Sequence, residues 1–126
     1  MNALNQALNL GDLLKYEEDC LNFSRENITV AAGQSLELGA VVGRVTATGK
    51  VKRLDPAATD GTEHAAGILL DAYDATLIDR DDALLLARHG IVASGAVVWP
   101  AGITPEQKVA AIAALEARGI LIRQSA

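Results

Sequence analysis

An α+β domain that is mostly β, with one short helix in its C-terminal half and an N-terminal arm ahead of a β-rich body, is the fold class this chain predicts. Three observations predict it. From residue 27 onward, short apolar pieces are separated by Gly, Asp, Asn and Pro turn signals. A single segment, opening at Thr104, carries helix-start and helix-stop residues together. Residues 1–26 share neither pattern, and their apolar residues keep no sustained period. At 126 residues the chain is one domain, large enough to bury a real core.

The arm, residues 1–26, holds five acids against two bases and no proline. A short helical turn over residues 13–20 is one expectation for it. As a whole it reads as a segment mobile alone that orders against a partner; the other reading is an ordinary first helix. The body, residues 27–126, opens with a strand over 27–30 and a turn at Gly33-Gln34. A longer strand is expected over 40–47, with Val41 and Val45 on one face and Arg44 and Thr46 on the other. Thr48-Gly49 supplies the reversal, and residues 50–54 return with Val51 flanked by lysines, as on a half-wet antiparallel strand.

Asp55-Pro56 and Asp60-Gly61-Thr62 mark a loop, after which residues 65–70 are apolar enough for a central strand. Gly67 inside it kinks the strand or admits a neighbouring backbone. Residues 71–82 read as an acidic loop, followed by a Leu-rich strand over 83–88, a His89-Gly90 turn and a strand over 91–93. Ser94-Gly95 leads to a last apolar strand ending at Trp99-Pro100. Elements this short and close leave no room for repeated βαβ crossovers.

The helix has Thr104 as N-cap, Pro105 at the first position and Gln107 where a capping-box partner reaches back. Gly119 ends it beside Arg118, whose charge suits the carbonyl end. Ile112 and Leu115 are expected at the heart of its apolar stripe, with Lys108 and Glu116 at the edges. Such a helix sits close against a neighbour, either its own domain or another subunit.

Composition excludes several function classes. Apolar residues make up 50% and aromatics only 3%, so the core is aliphatic and stacking platforms are few. A formal charge of −5 argues against a nucleic-acid partner, which needs clustered Lys and Arg. Cys20 is alone and forms no internal disulfide, which fits synthesis in a reducing cytoplasm. Neither a signal-peptide pattern nor an apolar run near the roughly 20 residues of a membrane helix is present, so a soluble, unexported protein without membrane contact is expected.

Catalytic and metal readings are outweighed by plainer ones. Asp71, Asp74, Asp79, Asp81 and Asp82 lack the order of a calcium loop and read as a solvated segment. His64 and His89 stand beside turns without ligand spacing, and Ser94 lacks the flanking glycine of a nucleophile elbow, residue 92 being valine. Lys50 lies in a hairpin as a carrier-domain lysine would, but Thr48-Gly49-Lys50-Val51 is no carrier motif. No cofactor is expected. Trp99 reads as core or edge packing, with an interface anchor as the alternative. Tyr16 and Phe23 stand where no local core is evident, so a partner surface is their expected place of burial.

Four pieces in order carry a family resemblance: Phe23-Ser24-Arg25-Glu26, the segment 33–46, the Asp60-Gly61 turn with Gly67-Ile68-Leu69, and Gly119-Ile120-Leu121-Ile122-Arg123, with Trp99-Pro100 ahead of the helix. Together they resemble the head decoration proteins of tailed phages, the lambda-type family. The likeness spans about residues 23–126. The arm departs from the lambda pattern, which is richer in Pro, Thr and Ser.

The resemblance implies a β-tulip-like body, a homotrimer and no catalytic residues. It implies a protein made in the host bacterial cytoplasm and carried on the virion exterior, where trimers sit at local three-fold sites of the expanded head. Its partners are then itself and the major capsid protein. The arm residues expected to meet the capsid are Leu13, Leu14, Tyr16, Phe23, Ser24, Arg25, Glu26 and Ile28. Trp99, Lys108, Ile112 and Glu116 are the expected trimer contacts. A generic trimeric adaptor, or a carrier modified at Lys50, is the alternative.

Overall fold

Alternate residues of the same apolar strands serve two separate cores in the computed structural model, which describes residues 10–17 and 24–124. Five strands close a barrel in the order β2 (Arg25–Val30), β5 (Val51–Arg53), β4 (Val41–Arg44), β6 (Ala65–Leu69), β8 (Arg80–Leu86). Its interior is filled by Ile28, Val30, Val42, Val51, Leu69, Ala83 and Leu85. The intervening Val41, Ile68 and Leu86 face outward into a second cluster. Side chains alternate across a strand, so a strand covered on both faces reads as a continuous apolar run. This is why all five residues of β6 are buried. Each Leu, Ile or Val so buried contributes about 1.5–3 kcal/mol.

The outer cluster is roofed by helix α2 (Pro105–Glu116) and by a three-stranded sheet ordered β1 (Leu14–Glu17), β9 (Gly90–Ala93), β10 (Ile120–Arg123). Helix α2 packs on β6 and β10. β9 and β10 are parallel, so α2 forms one crossover between them. The capping box at Thr104 and Gln107 is complete, each side chain meeting the other's backbone N–H. A third, two-stranded sheet joins β3 (Gln34–Leu36) to β7 (Tyr73–Ala75).

The hairpin expected at Thr48-Gly49 connects β4 to β5, with Gly49 at φ 76° and its N–H donating to the Val45 carbonyl. Gly67 admits a neighbour, and the β4–β6 register shifts beside it, between the Val42–Gly67 and Gly43–Ala65 pairs. A Cβ on Gly67 would lie 2.6 Å from the Leu86 carbonyl oxygen.

Other elements differ from expectation. The strand expected over 40–47 is only Val41–Arg44, and both its faces are covered because the barrel wall also carries the outer cluster. The acidic stretch 71–82 contains β7 and the start of β8, since Tyr73 and Ala75 point into the barrel core. No strand forms at 97–100. A 3₁₀ turn (Ser94–Ala96) precedes it, and Val98 makes only an isolated parallel bridge to Ala40.

The body also begins well before residue 27. Helix α1 (Leu10–Leu13) delivers a fully buried Leu13 to the outer cluster, and β1 pairs antiparallel with β9. Leu10 and Leu14 pack partly buried against the same cluster. Of the helical turn expected over 13–20, residues 14–17 are strand and 18–20 lie outside the described residues. On α2, Ala111 and Leu115 are the buried pair, while Ile112 is half-buried and apart from the core. The small Ala111, with Ala114 beside it, lets the helix backbone approach β6.

Candidate functional site

The eight N-terminal residues expected to form one docking element separate into three environments. Leu13 and Ile28 belong to the two cores, and Leu14 packs half-buried against the outer one. Their side chains are used inside the body, whereas the sequence placed them toward a capsid. Tyr16 is 55% exposed and stands opposite Ile91, which is itself opposite Leu121. These three make an apolar stripe across the outer face of the three-stranded sheet. Phe23 lies outside the described residues, as does Cys20.

Ser24, Arg25 and Glu26 build two ionic clusters. Arg25 grips Glu17 through both carboxylate oxygens, Nε to Oε2 at 2.7 Å and Nη2 to Oε1 at 2.8 Å. The fully buried Ser24 donates its hydroxyl to the same Oε2 at 2.6 Å. The Arg25 hydrogen bond holds the Glu17 carboxyl below the ordinary glutamate range, against the opposing effect of burial. This pair ties the end of β1 to the start of β2. Sequence reasoning missed Glu17, because nothing local marks a partner eight residues away.

Glu26 bridges two arginines. Arg44 reaches Oε1 at 3.1 Å, and Arg88 closes on Oε2. The Arg88 hydrogen bond is the largest cause lowering the Glu26 pKa, and burial again opposes it.

The second expected surface, on α2, comes together more fully. Lys108, Ile112 and Glu116 follow each other at four-residue spacing along one side of the helix. Trp99 packs half-buried beside the outer core, and the Lys108 ammonium lies over its ring. Val109, 67% exposed and one turn from Ile112, extends this face with an apolar side chain that sequence reasoning did not single out. Leu77 and Ile78 were also missed; both are exposed at the tip between β7 and β8. Their setting within an acid-rich stretch was the available signal.

Lys50 is held at the foot of its hairpin, with Nζ 2.6 Å from Asp79 Oδ2. Asp79 also accepts from the Ala32 N–H. Two further acids of that stretch have local partners of their own: Asp74 takes the Thr76 hydroxyl and N–H, and Asp82 pairs with Arg80. His64 sits beside Glu63 at 3.4 Å and is exposed. Among the described residues, no three His, Cys, Asp or Glu side chains converge as a metal site, and no helix is long and apolar enough to cross a membrane. What the two surfaces offer is ion pairing and apolar contact, the chemistry of docking.

The family model for bacteriophage lambda head decoration protein D matches residues 3–120 of the chain. No curated protein matches it.

Proposed function

The chain belongs to the bacteriophage lambda head decoration family, whose members are structural proteins of the phage head, and on that premise we propose that it cements the head exterior as a homotrimer. Trimers occupy local three-fold sites of the expanded shell, bridge major capsid subunits and resist the pressure of packaged DNA. The observation that carries this reading is the family match across nearly the whole chain.

The geometry supports a division of labour. The face formed by Trp99, Lys108, Val109 and Ile112 is suited to meet another copy, being apolar at its centre and charged at its rim. Residues 1–26 contact the capsid through Tyr16, Phe23 and the N-terminal end of the chain, with Arg25 and Glu26 orienting the segment from its base. An extended capsid segment laid along β1 would add backbone hydrogen bonds at its outer edge.

Ordering a chain segment on binding costs about 2–5 kcal/mol. A trimer offsets this through effective concentration: once one segment docks, affinity rises about 10²–10⁴-fold without new contacts. Only a shell with matching subunit spacing engages all three, so preference for the expanded lattice follows from geometry.

The test is co-sedimentation of the purified protein with expanded, undecorated heads of its own phage, with its mass in solution measured in parallel. The expected result is saturable binding by a trimer at about three chains per three-fold site. A monomer without affinity for heads would overturn the reading.

A further inference from the structure

The barrel has two chemically different ends. On β2 the interior-facing register runs from Val30 through Ile28 to Glu26, and on β4 it runs from Val42 to Arg44. Beyond the apolar core these two polar residues meet, and Arg88, just past β8, takes the second oxygen of Glu26. Arg118, just past α2, lines the same recess of about 220 Å³. Its side chain makes no hydrogen bond or ion pair among the described residues. Arg44 and Arg88 therefore engage both oxygens of Glu26 and leave none for Arg118. Arg44 and Arg118 against Glu26 leave the lining of the recess one positive charge in surplus, on a chain whose net charge is −5.

The opposite end is acidic. On β8 the interior-facing register runs from Leu85 to Ala83, where it shifts so that Val30 stands opposite Arg80; Asp81, between them, is exposed and without a side-chain partner among the described residues. Asp82 and Asp79 stand beside it, each already paired. From Asp81 to Arg88 the chain covers about 20 Å at the rise of a strand, so the two ends of one barrel do not satisfy each other.

We propose that the arginine recess of one copy receives the Asp81 carboxylate of a second copy. The contact is head to tail, and repeated around a closing rotation it makes a ring. The donor fork of Arg118 suits a carboxylate, and Arg44 adds a second cation at the recess wall. The occupant is a second copy because both members of the complementary pair are present on this chain: Arg118 and Asp81, each without a side-chain partner among the described residues. The proposal rests on the trimer reading above and supplies it with a salt-linked contact in addition to the α2 face.

The test is sedimentation equilibrium of the full chain at low salt for the wild type, Arg118→Glu, Asp81→Arg and the double variant. Both residues are exposed, so thermal melts of the single variants serve as the check that each remains folded. Each single reversal is expected to raise the dissociation constant of the assembly by about tenfold or more, and the double variant to recover most of that loss. Added salt weakens the wild-type assembly in the same direction. Single variants that assemble like the wild type, or a double variant no better than the weaker single, would overturn this contact while leaving the trimer intact. A wild type that stays monomeric overturns the trimer reading itself. Trimeric variants that lose only head binding assign the recess to an acidic capsid segment and also overturn the proposal.

Discussion

The ammonium nitrogen of Lys108 stands 5.5 Å from the centre of the Trp99 ring, joining the segment before α2 to the outer face of that helix. The half-buried ring packs against the outer core and carries the lysine over it. A cation so placed over an indole at an exposed site contributes about 0.5–1 kcal/mol.

Trp99 is the only tryptophan, so its fluorescence reports this face alone. If the face is buried on assembly, emission shifts to shorter wavelength as concentration rises through the assembly range. Lys108→Ala is expected to lower the melting temperature slightly and to weaken assembly more. Concentration-independent emission across a measured monomer-to-trimer transition would remove this face from the interface.

Leu13 and residues 1–9 are expected to separate folding from docking. Leu13→Ala empties a fully buried position and costs about 2–5 kcal/mol, read from urea unfolding. Removing residues 1–9 leaves every described core residue in the chain, and the expected outcome is an unchanged unfolding curve with reduced co-sedimentation with expanded heads. Removing all of 1–26 is expected to destabilise the body, because Leu13, β1 and the Glu17–Arg25 pair go with it.

Gly67→Ala probes the barrel wall. The added methyl would stand 2.6 Å from the Leu86 carbonyl oxygen and 2.8 Å from Leu85 Cγ, and both neighbours are packed. Overpacking of this kind costs about 1–3 kcal/mol, and chemical denaturation measures it. A variant as stable as the wild type would mean that β6 and β8 move apart freely.

Acid is expected to loosen the junction of β1 and β2. Arg25 depresses the Glu17 pKa, and Arg88 with Arg44 depresses that of Glu26. In the window between the depressed folded values and the ordinary glutamate value, the unfolded chain binds more protons than the folded one. Stability therefore falls as pH drops through that window, and its contribution from these groups is complete above it. Melting temperatures measured downward from neutral pH should decline there in the wild type and decline less in Glu26→Gln.

The legible parts of the fold were those with local causes. The Thr104 capping box, the Thr48-Gly49 hairpin and the apolar run of β6 each follow from neighbouring residues, and each is present. The short β3 and β7 were not legible, because a three-residue strand has no period of its own and forms only where a partner lies alongside. The stripe of Ile112 and Leu115 left open whether the helix faces its own domain or another subunit; the helix meets the core through Ala111 and Leu115, a preference set by how near its backbone must come. Of the expected surface, Trp99 and Lys108 came together, whereas Leu13 and Ile28 went to the interior.

The chain's own pattern determined a mostly β body with one capped helix, an aliphatic core and an acidic surface, because these depend on composition and on spacings of a few residues. Tertiary structure alone decided that the wall closes as a five-stranded barrel with a core on each side, that residues 10–17 join a sheet with β9 and β10, and that Glu17, Glu26 and their arginines meet. Those outcomes hang on contacts between residues far apart in the chain, such as Glu26 with Arg88, and no local spacing encodes the approach of two such residues.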